Sequence, residues 1–324
     1  MRTSARVAPI AAAAVAVVAA LALPFALRAL GLDFYLSLAS RIVVFAIAAT
    51  SLNLVLGYGG MVSFGHAAFV GVGAYVTGVM ISEGVQSGIV HLAATVAITA
   101  LVALVIGAIS LRTRGVYFIM ITLAFAQMLY YLANSVKGYG GDEGLNIRAR
   151  SLFTIGDRVL DLKDPLAFYY VALAVLALTL IALSRFVPSR FGRAVLALRD
   201  DDVRAEALGF PVYRMKLVAF VVAGALGGVA GALSVNLQGY VSPNVLHWTQ
   251  SGTLMVMVIL GGVATVSGGL VGAAVLLLLQ EVLGAYTEHW EFWTGWVLLA
   301  VVLFARQGLV GIVKAVRDRK AGPR

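Results

Sequence analysis

The sequence predicts an all-α polytopic membrane protein, and three observations carry that reading. Of 324 residues, 61% are hydrophobic and 12% are charged, against about 45–50% and about 25% in soluble globular chains. Uncharged stretches recur at the length a bilayer requires, since about 20 residues of helix cross a hydrocarbon core about 30 Å thick. Residues 7–27, 88–111, 115–136 and 166–184 contain no Asp, Glu, Lys or Arg. Lastly, the basic residues gather in four separated segments, as they do in loops on the cytoplasmic side of a membrane. Mean hydropathy is +0.96, which argues against a water-soluble enzyme and against a disordered chain. With no cysteine there is no disulfide, thiolate metal site or cysteine nucleophile.

Ten spans follow: 7–28, 36–56, 61–82, 88–111, 115–135, 166–185, 214–234, 250–263, 268–286 and 290–306. Residues 42–82 are broken only by His66, but Gly57-Tyr58-Gly59-Gly60 punctuates the run into two helices. Residues 217–280 carry no charge; Pro243-Asn244 and the glycines from Gly261 to Gly269 divide them into three. The spans 250–263 and 290–306 are short for a full crossing. The first span follows Arg2 and Arg6 and reads as an uncleaved anchor, because its apolar stretch exceeds that of a signal peptide. The whole chain, 1–324, reads as a single transmembrane domain.

Orientation comes from charge. Arg2 and Arg6, Arg112 and Arg114, seven basic residues over 185–216, and six from Arg306 onward form four basic segments. The 137–164 loop balances five basic against five acidic residues. Ten crossings put every basic segment on one side and the neutral loop (about 136–165) on the other, with both termini cytoplasmic. The net charge of +9, with 19 Arg among 24 basic residues, therefore marks cytoplasmic loops at a lipid surface. It does not point to nucleic acid.

Inside the spans, Gly224/Gly228, Gly227/Gly231 and Gly268/Gly272 are spaced to lie on one helix face, where backbones approach closely. Lone polar residues are costly in lipid unless they face protein or water. They are Arg41, Asn53, Ser63, His66, Gln127, Asn236, Gln238, Gln280 and Glu281. Arg41 lies near a span start and can snorkel to headgroups. Backbone broken within a membrane is tolerated only against protein or a water-filled cavity. The Gly57–Gly60 break thus makes Asn53, Gly59, Gly60, Ser63 and His66 the candidate lining of a pathway.

Enzymatic signals are weak. Ser63 and His66, three apart, would share a helix face, but no G-x-S-x-G surrounds Ser63. There is no G-x-x-x-x-G-K-[ST] phosphate loop and no H-E-x-x-H, and the four histidines are scattered. Hence no catalytic residue, metal site or cofactor is assigned. Glu281 is the one candidate for proton coupling, which weakens a secondary-transporter reading.

The longest polar segment on the basic side, about 186–213, carries helical spacing at Phe191, Val195 and Leu198. Asp200-Asp201-Asp202 then caps a stretch from Val203 to Leu208. Gly209 fits a left-handed stop and Pro211 prevents continuation. A short, punctuated helix on this face suits docking to a cytosolic partner.

Two segments carry a family resemblance. Ser51-Leu52-Asn53-Leu54-Val55-Leu56-Gly57-Tyr58-Gly59-Gly60-Met61-Val62-Ser63-Phe64-Gly65-His66-Ala67 resembles the second and third helices of the branched-chain amino acid permeases of bacterial ABC importers, the LivM type. Gly192 to Asp201, followed by Ala205-Glu206-Ala207-Leu208-Gly209, is similar to that family's coupling loop, with Leu208 where a second alanine is usual. The similarity runs from about residue 36 to 312. It implies one half of a translocation pathway, paired with a second permease of the LivH type. Two cytosolic subunits would bind ATP, and a periplasmic protein would deliver substrate across a bacterial inner membrane. On this resemblance Arg199, Asp200, Asp201, Glu206, Ala207 and Gly209 are the ATPase-coupling residues. Urea-type permeases share these motifs, so urea or a short-chain amide is the alternative substrate.

Overall fold

A computed structural model describes residues 18–29, 31, 33–155, 158–304 and 308–311. The start of the first predicted span, Arg2, Arg6 and the basic tail lie outside these residues. The described chain is helical almost throughout. Its apolar helices are α1 (Val18–Ala29), α2 (Asp33–Asn53), α3 (His66–Ser82), α4 (Gly88–Ser110), α5 (Val116–Ser135) and α6 (Pro165–Phe186). After two short helices, α7 (Arg190–Asp200) and α8 (Asp202–Ala207), come α9 (Val212–Gln238), α10 (Trp248–Gly261), α11 (Gly268–Tyr286) and α12 (Trp290–Phe304). Six helices among the described residues are long and apolar enough to cross a membrane: α2 with its extension to Tyr58, α4, α5, α6, α9 and α11. The helices α1, α3 and α10 are apolar but shorter.

Two of the expected spans need correction. The span read as 61–82 begins its helix only at His66, and Met61 to Gly65 is irregular. The span read as 214–234 is longer, because α9 runs to Gln238, where Gly239 caps it at φ +71°. The neutral loop also holds more order than its composition suggests. Strands β2 (Leu152–Ile155) and β3 (Arg158–Asp161) form an antiparallel hairpin. Strand β1 (Leu145–Asn146) pairs with β4 (Tyr240–Val241), just beyond α9.

Helix α9 is the centre of the body. It packs on α2, α3 and α4, while α2 packs on α6, α10 and α11. Glycine permits this closeness. A Cβ on Gly231 would sit 1.9 Å from the Val70 carbonyl oxygen, and one on Gly73 would sit 2.2 Å from that of Gly228. The α10–α11 pair meets in the same way, with a Gly272 Cβ only 1.7 Å from the Met257 carbonyl oxygen. With lipid tails as apolar as the side chains, such contact is what holds membrane helices together.

The packing repeats with its direction reversed. The sequence Ser51-Leu52-Asn53-Leu54 before Gly57-Tyr58 recurs as Ser234-Val235-Asn236-Leu237 before Gly239-Tyr240. Helix α9 packs on α3 and α4, which follow α2; helix α2 packs on α10 and α11, which follow α9. Gly59 to Val62, which directly follow the extension of α2, line one cavity with the start of α9, so the two helices run antiparallel. The first copy has one more residue between its Asn and its Gly-Tyr. There the helix widens into a π-helical turn, Leu54–Tyr58, which is how a helix absorbs a single extra residue.

Gly231→Val should force α3 and α9 apart and destabilise the fold by about 1–3 kcal/mol or more. Gly284→Val, on the open side of α11 where no atom lies within 4 Å of the added Cβ, should leave it nearly unchanged. The thermal unfolding midpoints of the two variants in detergent check the contrast.

Candidate functional site

The expected site residues converge on the break after α2. Three fixed groups hold that break. Asn53, fully buried, accepts from the Ala264 N–H at 3.0 Å and donates to the Thr265 carbonyl at 2.7 Å. One side chain thereby satisfies both sides of the α10–α11 turn. Ala264 is the sole non-glycine among the described residues in the left-handed region, at φ +58°. That conformation is strained by about 1–2 kcal/mol, and the Asn53 bond helps to maintain it. Gly57 is required beside it, because a Cβ there would meet Asn53 Oδ1 at 2.1 Å and Ala264 N at 2.6 Å.

The second fixed group is the Ser51–His66 pair, 2.7 Å apart and fully buried. Ser51 already gives its hydroxyl proton to the Ala48 carbonyl, so its oxygen accepts from His66 Nε2–H. The bond fixes the tautomer and ties the first residue of α3 back to α2. Ser63 does not take part. It precedes the helix, and its hydroxyl accepts from Gly65 N–H at 3.2 Å. The serine–histidine hydrolase pair that the spacing allowed is therefore not formed.

The third group is Arg199, at the end of α7, whose guanidinium donates to the Gly57 carbonyl at 2.7 Å. The stem of Arg199 lies across Gly60, where an added Cβ would approach it to 2.9 Å. The residue expected to couple and the segment expected to shape the pathway are thus in direct contact. No sequence pattern links residues 142 positions apart.

The surface segment has the punctuation its residues predict. Ser189 caps α7 by accepting from Gly192 N–H, and Asp201 caps α8 by accepting from Arg204 N–H. Gly209 follows α8 at φ +85°. Helix α7 buries Ala194, Val195 and Leu198. Asp202 forms an ion pair with Lys216 of α9, which pins α8 to the body. Glu206 lies 3.9 Å from Arg114, both largely exposed, and such a pair contributes little. Asp200 and Ala207 are exposed. The strongly apolar Val203 (68% exposed) and Leu208 (72%) stand out from the same face. Behind them a cavity of about 760 Å³ is lined by Gly59, Gly60, Met61, Arg114, Arg199 and Glu206.

At the opposite face, Asn236 does for α9 what Asn53 does for α2. It accepts from Ser151 N–H at 2.8 Å and so anchors the strand cap. Arg150 donates to the Ile147 carbonyl and sits against Gly239. Burial lowers its guanidinium from the usual range, and the nearby Asp161 opposes the shift. The Asn236 role was legible in principle from the repeated Ser-x-Asn-Leu motif.

A profile for the branched-chain amino acid transport system permease component matches residues 34–306. The chain belongs to that permease family. Among its relatives, the high-affinity branched-chain amino acid transport system permease protein LivM of Salmonella typhimurium is 27% identical over 307 residues, covering 88% of this chain and 72% of that protein. The probable branched-chain amino acid transport permease protein LivM of Methanocaldococcus jannaschii is 23% identical over 78% of this chain and 82% of its own. The probable LivH permease of the same organism is 26% identical over 44% of this chain and 48% of its own. No solved structure matches the chain. As a permease component, this member of the family is a transport subunit, and the break with its three ties is the candidate site of that movement.

Removing the Arg199 tie should loosen the break while leaving the fold intact. Ser63→Cys, buried in this cysteine-free chain, should resist a water-soluble thiol reagent. Adding Arg199→Met should raise its labelling rate several-fold. Asn53→Leu should instead destabilise the protein by about 1–3 kcal/mol for each backbone group left unpaired, read as a lowered unfolding midpoint.

Proposed function

We propose that this permease is one membrane half of an ABC importer of branched-chain amino acids in a bacterial inner membrane. It works with a LivH-type permease, two cytosolic ATPases and a periplasmic binding protein. The observation that carries the reading is the Arg199–Gly57 bond, because it joins an exposed, capped surface helix to the break in a buried span. Helices α1–α6 and α9–α12 are then the ten crossings. The face bearing Arg112, Arg114 and the 185–216 segment is cytoplasmic by the positive-inside bias, as are both termini. Substrate class follows the names of the relatives.

On this reading α7 and α8 form the coupling element. The ATPases grip Val203, Glu206, Ala207 and Leu208, and Asp200 and Asp201 set the turn between the helices. When the grip shifts, α7 moves as a rigid body and Arg199 pulls on the Gly57 carbonyl. The π-helical turn is the weak point that yields, since wide turns of this kind are frequent at functional sites. Gly59 and Gly60 line the cytoplasmic mouth. Asn53 and His66 hold the break closed, Ser63 lies buried in the segment between them, and all three meet substrate only when it opens. ATP is bound by the partner subunits.

Two mutants separate grip from transmission. Leu208→Asp combined with Glu206→Lys should abolish co-purification of the ATPases while membrane insertion persists. Arg199→Met should keep co-purification but lose most substrate-stimulated ATP hydrolysis and uptake. Wild-type behaviour of both would remove the segment from the coupling path. On the outer face, neutralising the exposed Asp142 and Glu143 should slow delivery by the binding protein more at low salt than at high salt, because rim charges act mainly on encounter. Uptake measured across a salt series checks this.

A further inference from the structure

A separate cavity of about 240 Å³ lies among α2, α3, α9 and α10. Its rim is polar, with Gln238, Ser242, Asn244 and Gln250. Three of these residues follow the end of α9 or open α10, so the cavity opens on the face opposite Arg199. Its wall is aliphatic, with Val44, Ala48, Val70 and Leu254, and it reaches Ala67, the residue after His66. Arg41 is its one charged lining residue.

Arg41 resists the snorkelling explanation its position in sequence suggested. Eight residues inside α2, it is about 12 Å along the helix from the first residue. Its guanidinium carbon lies over the Phe45 ring, 5.7 Å from the centroid and one turn deeper in the span. No ion pair or protein hydrogen bond engages it among the described residues. A guanidinium has five N–H donors in a planar fork that matches a carboxylate. Arg41 is exposed and, unlike the basic residues of the neutral loop, has no acidic residue within its own helical segment beyond Asp33.

We infer that this cavity is a substrate site, with Arg41 receiving the α-carboxylate of a small aliphatic amino acid. The inference rests on the importer reading above and gives it a location. The ammonium group is met by the uncharged oxygens of Gln238, Ser242, Asn244 and Gln250, and the side chain lies against the aliphatic wall. The volume is below the roughly 300–1,000 Å³ of pockets for drug-sized ligands, so it admits a small solute. With one positive charge and no carboxylate in its lining, the cavity favours zwitterions and anions over cationic amino acids.

The test uses the complete transporter in nanodiscs. Ser242→Cys gives the cavity a thiol, and its modification rate is measured with the anionic 2-sulfonatoethyl and the cationic 2-trimethylammonioethyl methanethiosulfonates, against a background without that thiol. The expected result is a preference for the anionic reagent that Arg41→Gln removes, and slower modification in saturating leucine. Uptake of leucine by Arg41→Gln should fall by about tenfold, the loss of one charge-assisted hydrogen-bond pair. Arg41→Lys should restore part of it, and intact ATPase co-purification certifies the fold. An unchanged reagent ratio in Arg41→Gln overturns the proposal. So does a lost ratio with wild-type uptake, or a ratio set by anionic lipid content and indifferent to leucine, which would assign Arg41 to headgroups. If the ratio behaves as expected but the wild-type transporter moves no branched-chain amino acid, the substrate reading fails and the anion-selective cavity stands.

Discussion

In a membrane span every backbone polar group must find its partner within the protein, and the architecture around residues 53–66 depends on that requirement. A helix that breaks inside the body frees carbonyls and amides that lipid cannot satisfy. Here the freed groups are taken up by side chains from distant parts of the chain. Arg199 takes the Gly57 carbonyl, and Asn53 serves the turn at Ala264–Thr265. Because each satisfied group is also a mechanical tie, the same bonds that make the break tolerable connect it to the surface helix and to the α10–α11 turn.

Close helix packing gives those ties something rigid to act on. With a Cβ excluded at Gly73, Gly231 and Gly272, α3 meets α9 and α10 meets α11 at backbone distance, and small relative movements are resisted over the whole seam. The reversed repeat places equivalent asparagines at opposite faces. Asn53 anchors the basic end of α2 and Asn236 the neutral end of α9. The copies differ by one residue, and the surplus is stored as the π-helical turn of the first. The structure is thus closely packed along its glycine seams and irregular where Arg199 is attached.

The cavities lined by Gly60 and by Arg41 fit this division. One, about 760 Å³, opens among the basic loops and reaches Gly59 and Gly60; the other, about 240 Å³, opens on the far side and reaches Ala67. The segment from Met61 to His66 lies in the chain between these limits, with Ser63 and His66 fully buried. A movement of that segment would alter the floor of both.

The sequence by itself determined the all-helical membrane class, the rough positions of most described helices and the punctuated surface helix. Burial in lipid demands long uncharged runs, and caps such as Ser189, Asp201 and Gly209 act over three or four residues, so both leave local marks. It also marked the break, since four residues such as Gly57-Tyr58-Gly59-Gly60 cannot continue a helix unperturbed. Only the tertiary structure decided which partners the polar residues take. Ser63 and His66 look paired by spacing, yet His66 bonds Ser51, because α3 starts five residues later than the glycines suggest. Arg41 looks like a headgroup anchor, yet it lines a cavity that four helices create together. Arg199 and Gly57 show no relation in sequence, and their bond exists only because α7 folds back on the end of α2. Such contacts are set by packing across large separations, and a local pattern carries no record of them.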